Sequence, residues 1–161
     1  MRRLLAASLV LLACGARAAD IPAVERAIVE GTNRFRHEEG VASVHPDSML
    51  DRAARDFAQY LARTDRFDHE ADGRTPAIRA RAQGYDYCLV AENIAYRYDS
   101  RGFTTAALAH GLVQDWKDSP GHRRNMLDGR AIDTGVAVVQ SPRSGRFYAV
   151  QMFGRRRAAC R

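Results

Sequence analysis

Thr134-Gly135-Val136-Ala137-Val138-Val139, the break Ser141-Pro142-Arg143-Ser144-Gly145, and Phe147-Tyr148-Ala149-Val150-Gln151-Met152-Phe153 decide the fold class. Two runs rich in β-branched and aromatic residues, joined by turn formers, predict an antiparallel hairpin. Glu92 to Tyr98 is a candidate third strand. Upstream of these runs the periodicity is helical. Asp20 is placed to cap a helix carrying Val24, Ile28 and Phe35 on one side, and Pro46-Asp47-Ser48 opens a second. On that second helix Leu50, Ala53, Ala54, Phe57 and Leu61 share a stripe, with Asp51, Arg52, Arg55, Asp56 and Gln59 opposite. Thr75-Pro76 predicts a third helix stopped at Gly84. Leu108, Leu112 and Trp116 mark a fourth, over roughly Thr105 to Trp116. Helices followed by a small antiparallel sheet of about three strands predict an α+β domain with helices layered on the sheet.

The first residues read as an export signal and not as part of the fold. Arg2 and Arg3 precede the apolar run Leu4 to Ala13, and Ala16-Arg17-Ala18 has the small residues of a cleavage site. A run of ten residues rises only about 15 Å as a helix, half a bilayer core, so no transmembrane helix is expected there. Residues 1–18 are therefore assigned to a signal peptide and 19–161 to one domain, secreted or periplasmic. Leu11-Leu12-Ala13-Cys14 offers the alternative of a lipoprotein anchored through Cys14. Either cleavage leaves Cys88 and Cys160, an even pair suited to an oxidising compartment. A bridge between them would close a loop of about 70 residues and contribute on the order of 4 kcal/mol. Two unpaired thiols are the alternative.

Charge carries little information about function. The chain has 25 Lys and Arg against 19 Asp and Glu. Without Arg2, Arg3 and Arg17 the balance is 22 to 19, a net +3. Lys117 is the only lysine, a skew that reads as a compositional habit, and no nucleic-acid motif accompanies it. Arg155-Arg156-Arg157 is expected to be a solvated tail.

Three stretches carry chemistry: Phe67-Asp68-His69, Ala91-Glu92-Asn93-Ile94-Ala95, and Ser119-Pro120-Gly121-His122-Arg123-Arg124-Asn125. His69 is expected on a loop at the end of the second helix. His69-Glu70 does not open a zinc-protease helix, because Gly73 stands where the second histidine would be. Ser119-Pro120 predicts an N-cap with proline at the first helical position, which puts His122 in the first turn of a short helix. A helix N-terminus disfavours imidazolium, and neutral imidazole can ligate a metal or accept a proton. Glu92 lies in an apolar stretch, so it is either exposed at a strand edge or buried with a partner. Asn93 can bracket it by hydrogen bonds. No serine-hydrolase elbow, phosphate loop, dinucleotide fingerprint or Cys-x-x-Cys pair is present. His37, His45 and His110 read as surface residues and Trp116 as core.

Taken in order, these segments resemble the CAP superfamily of cysteine-rich secretory, antigen 5 and pathogenesis-related proteins, in its short bacterial SCP-domain form. The resemblance runs from about Val24 to Gly154. It is carried by Asn33-Arg34-Phe35-Arg36, by Phe67-Asp68-His69 leading to Asp72-Gly73-Arg74-Thr75-Pro76 and Gly84-Tyr85, and by Glu92-Asn93-Ile94-Ala95. Trp116 to Leu127, Thr134-Gly135-Val136-Ala137 and Val150-Gln151-Met152-Phe153-Gly154 complete it.

The resemblance implies an α-β-α sandwich whose cleft is lined by two histidines and two glutamates. Carried over, these are His69, His122 and Glu92. The second acid, expected after Trp116, is absent or replaced by Asp118, and Ala91 replaces a glycine. His69 and His122 are the implied ligands of Zn2+ or another divalent cation, with Glu92 as a third ligand or as a group orienting a histidine. Asn93, Ser119 and Asn125 are the expected supports. The reading that follows is an exported binding module, expected to be a monomer, for an extracytoplasmic peptide, wall polymer or lipid. The alternatives are a zinc-dependent hydrolase with Glu92, His69 and His122 as its catalytic groups, and a lipid or sterol carrier.

Overall fold

The computed structural model describes residues 18–160; the segment 1–17 on which the expected signal peptide and Cys14 fall lies outside the described residues. The elements in chain order are α1 (Ile21–Glu38), β1 (His45–Pro46), α2 (Ser48–Thr64), α3 (Pro76–Ala82) and β2 (Tyr87–Arg97). They continue with α4 (Thr105–Asp118), α5 (Pro120–Met126), β3 (Asp133–Gln140), β4 (Phe147–Arg156) and a closing 3-10 turn over Arg157–Cys160. The caps act as the sequence predicts at three of these helices. Asp20 accepts from the Ala23 amide, Asp47 from the Met49 and Leu50 amides, and Thr75 from the Ile78 amide.

The strands form one sheet in the order β1-β3-β4-β2. The predicted hairpin is β3–β4, antiparallel with Val138 opposite Ala149, and β2 joins its far side with Glu92 opposite Met152. Two features exceed the expected three-stranded sheet. His45–Pro46 adds a two-residue parallel strand beside Asp133 and Thr134, and β2 starts five residues earlier than the sequence suggests, at Tyr87.

Alternation along β4 divides the interior into two layers. Ala149 and Phe153 face Val24, Ile28, Leu108, Leu112 and Trp116 of α1 and α4. Tyr148, Val150 and Met152 face Leu50, Ala54, Phe57 and Leu61 of α2, with Ala80 of α3. The result is helices on both faces of a sheet, the α-β-α arrangement. Gly135 lets α2 lie directly on β3: a Cβ there would collide with the backbone of Leu50 and Asp51. Beyond β1 the edge of β3 is closed by acids, with the Val136 amide donating to Asp51 and the Val138 amide to Glu25 (3.0 and 2.9 Å).

Long-range polar ties then fix the loops. The Asn33 side chain exchanges two 2.9 Å bonds with the main chain of Val44. Fully buried Arg36 donates to the carbonyls of Ala42, Met126, Asp128 and Ala131. Cys88 of β2 is bridged to Cys160, 72 residues on. The arginine tail is bound to the fold: Arg156 pairs with Asp47 and Asp133, and Arg157 with Asp86. Among the described residues no helix is long and apolar enough to cross a membrane.

Candidate functional site

His69 sits on the loop that leaves α2. That helix ends at Asp65 in the left-handed conformation (φ 52°), and the Asp65 carboxylate accepts from Ser144 and Tyr148 hydroxyls. Turns closed by Asp68 on the Glu70 amide and Asp72 on the Arg74 amide shape the rest of the loop. The imidazole is half exposed. Its Nδ1 lies 2.9 Å from Glu92 Oε1, and its backbone carbonyl accepts from Arg79 Nη2 at 2.8 Å.

Glu92 points off β2 into the α2–α3 layer with a side chain only 1% exposed. Of the two placements open to it, burial with a partner is the one found. The partner is Arg79, whose side chain is 3% exposed. Arg79 Nη2 reaches both carboxylate oxygens, at 3.0 and 2.8 Å. Its Nη1 donates to Asp72 Oδ1 and the Arg74 carbonyl (2.8 and 2.7 Å), and the guanidinium lies 3.6 Å above the Phe57 ring. One cation thus serves two carboxylates and two carbonyls, in the forked geometry that favours arginine over lysine. Sequence reasoning missed Arg79. The available signal was the carboxylate in an apolar strand, which needs a partner once buried, but it does not say which arginine supplies it.

His122 comes from a different element, α5. The Ser119 carbonyl accepts the first helical bond from the Arg123 amide (2.8 Å), but the Ser119 hydroxyl makes no cap bond. The support comes from two asparagines. Asn125 donates to the Glu92 carbonyl (3.1 Å) and to Asn93 Oδ1 (2.9 Å), and Asn93 donates to the His122 carbonyl (3.2 Å). Arg36 holds the far end of α5 through Met126. Burial pushes the His122 imidazole below the ordinary histidine range, and the neighbouring His69 adds to the shift. The direction agrees with the sequence expectation; the leading cause is desolvation, where the sequence pointed to the helix terminus.

The two imidazole centroids are 6.2 Å apart and His69 bonds Glu92, so the fold brings His69, Glu92 and His122 together, with Asn93 and Asn125 behind them. Asp118 is not among them: it is exposed and accepts from Gln114 on its own helix. Among the described residues no three His, Cys, Asp or Glu side chains converge as a metal cage. His37, His45 and His110 are exposed, and Trp116 is fully buried.

Known proteins match this chain in sequence and in fold. The model of the CAP family, the cysteine-rich secretory proteins, matches residues 29–153. The uncharacterized protein YkwD of Bacillus subtilis is 29% identical over 136 residues, which cover 84% of this chain and 49% of that protein. The chain therefore spans about half the length of that relative. An outer surface protein of Borrelia burgdorferi superimposes with a TM-score of 0.75 at 18% identity, covering 88% of this chain and 99% of that one. NaASP2, in a crystal structure with Zn2+, superimposes with a TM-score of 0.62 at 16% identity, covering 88% and 82%. With its fold and its histidine and Glu-Asn segments in place, this chain belongs to the CAP family, the cysteine-rich secretory proteins.

Proposed function

We propose that this protein is an exported CAP-domain binding module whose cleft holds a divalent cation between His69 and His122. The observation that carries the reading is the state of the two imidazoles. His69 has Nδ1 committed to Glu92, which leaves Nε2 as its ligand atom, and His122 is held towards its neutral form. Neutral imidazole is a donor suited to zinc and similar ions. The donor set therefore fits such an ion in kind, and it supplies two protein ligands where a catalytic zinc usually has three. The remaining positions fall to water or to a donor atom of a bound partner, which makes the ion a point of attachment. NaASP2, a protein of the same fold, has been crystallised with Zn2+.

Glu92 is excluded from the ligand set in this reading, because Arg79 and His69 occupy both of its oxygens. The same engagement argues against the hydrolase alternative, which needs Glu92 free to take a proton. A bound cation would supply Lewis acidity. The protein's own groups orient one imidazole (Glu92), hold the backbone of the other (Asn93) and keep a carboxylate from competing for the ion (Arg79). Export is supported by the leader-like sequence, by the Cys88–Cys160 bridge and by the outer-surface location in the name of the Borrelia protein.

Calorimetric zinc titration tests the reading. Wild type is expected to bind one ion, and His69→Ala and His122→Ala are each expected to abolish it. Equal binding by wild type and both variants, or none by wild type, would overturn the metal site.

A further inference from the structure

We propose that Arg79 is a positioning residue of the cleft: acting through the Glu92 carboxylate, it holds His69 as the Nδ1–H tautomer and so presents Nε2 to the ligand. The purpose of this arrangement rests on the metal-binding reading above; the tautomer itself is a property of the metal-free protein.

The chemistry at Nδ1 is one-sided. A carboxylate oxygen that already receives Arg79 Nη2 acts there as an acceptor, so the ring nitrogen 2.9 Å from Glu92 Oε1 is the donor, and in the neutral ring the lone pair then lies on Nε2. No hydrogen bond from the described residues reaches Nε2, and the His69 side chain is 46% exposed. What keeps Glu92 a pure acceptor is Arg79. A guanidinium has five N–H donors and no acceptor, and it does not lose its proton in proteins. With Nη2 donating to both Glu92 oxygens, each oxygen is already committed as an acceptor, and Oε1 meets Nδ1 in that same role.

Arg79 is itself held in place, bonded to Asp72 and the Arg74 carbonyl and stacked on Phe57. The same Nη2 also grips the His69 carbonyl. One guanidinium therefore fixes both ends of residue 69, the main chain directly and the ring through Glu92. Arg79 touches neither the Nε2 position nor His122, so its effect on a ligand is transmitted through another side chain.

Long-range 1H–15N spectra of the metal-free protein at about pH 8, where an ordinary histidine is neutral, read the tautomer directly. Wild-type His69 is expected to show the Nδ1–H pattern. In Glu92→Gln, Arg79 claims the amide oxygen, the amide NH2 turns to Nδ1, and His69 is expected to switch to Nε2–H. In Arg79→Lys the charge is kept but the fork is lost, and a mixture of tautomers is expected. Amide dispersion reports folding; if Arg79→Lys does not fold, wild type and Glu92→Gln decide. An Nε2–H pattern in wild type, or an unchanged Nδ1–H pattern in the folded variants, overturns the proposal. Zinc titration of Glu92→Gln is expected to show 10–100-fold weaker binding, the usual effect of removing a group that orients a ligating histidine. If wild type binds no zinc while the tautomer responds, the metal reading fails and the role of Arg79 stands. If zinc binds and the tautomer does not respond, the reverse holds.

Discussion

The two histidines of the candidate site are held in opposite ways. His69 is on a loop, half exposed, and fixed by its ring: an ion pair buried behind it determines where Nδ1 points. His122 is on a helix, partly buried, and fixed by its backbone: Asn93 and Asn125 tie α5 to β2, while no hydrogen bond from the described residues reaches its ring. A loop cannot aim a side chain by secondary structure, so orientation there has to come from a charged network. A short helix aims its side chain by its own geometry once something docks it. The difference teaches that the two halves of one site fail by different routes, and substitutions should separate them.

The largest effect is expected from Arg79→Ala, which leaves the Glu92 carboxylate buried without its cation. Loss of one partner of a buried pair costs about 3–5 kcal/mol. Urea denaturation should show this as a large fall in the midpoint. Replacing both partners, as in Arg79→Met with Glu92→Leu, should recover part of that loss, because the fully buried carboxylate goes with its cation while the partly exposed Asp72 still loses Arg79. If Arg79→Ala proves close to neutral, the contrast between the two histidines collapses.

Next in size is Asn125→Ala. It strips the donor from the Glu92 carbonyl and from Asn93, at a cost of about 1–3 kcal/mol. Its local signature is the sharper measurement. Hydrogen exchange should accelerate across α5, and the His122 resonances should shift while those of His69 hold.

The pH dependence is smaller and has a definite sign. His122 is depressed in the folded protein by burial and by His69, so the unfolded chain takes up this proton first as pH falls. Its contribution to stability is complete above the unfolded value, about 6.5, and is lost as pH falls through the folded value. Urea midpoints from pH 8 down to 5 should decline, and His122→Gln should flatten that decline. The smallest effect belongs to Ser119→Ala. Its hydroxyl makes no cap bond, so the change should stay within about 0.5 kcal/mol. Asp47→Ala, which removes a cap bonded to the Met49 and Leu50 amides, should cost about 0.5–2 kcal/mol in the same assay.

Among the candidate site residues, the two histidines and Glu92 stand out because each lies in a distinctive local frame: a turn, an apolar strand, a Ser-Pro helix start. Asp118 misled as a replacement acid, since its place after Trp116 says nothing about where its carboxylate turns, and it turns to Gln114. Arg79 was invisible for a different reason. The chain has 25 Lys and Arg, and nothing within a few residues distinguishes the one whose guanidinium is buried against a strand thirteen positions away.

The sequence alone determined the helices, three of their caps, the β3–β4 hairpin and the α+β class. Those features follow from interactions among residues a few positions apart: apolar spacing, side chains closing onto nearby amides, and turn formers between strand-forming runs. Only the tertiary structure decided the rest. It added β1 as a parallel strand, spent Arg36 on carbonyls as far as 95 residues away, and committed Glu92 to Arg79. These contacts depend on packing distant segments together, where one buried charge must find its partner, and local spacing does not encode which partner that will be.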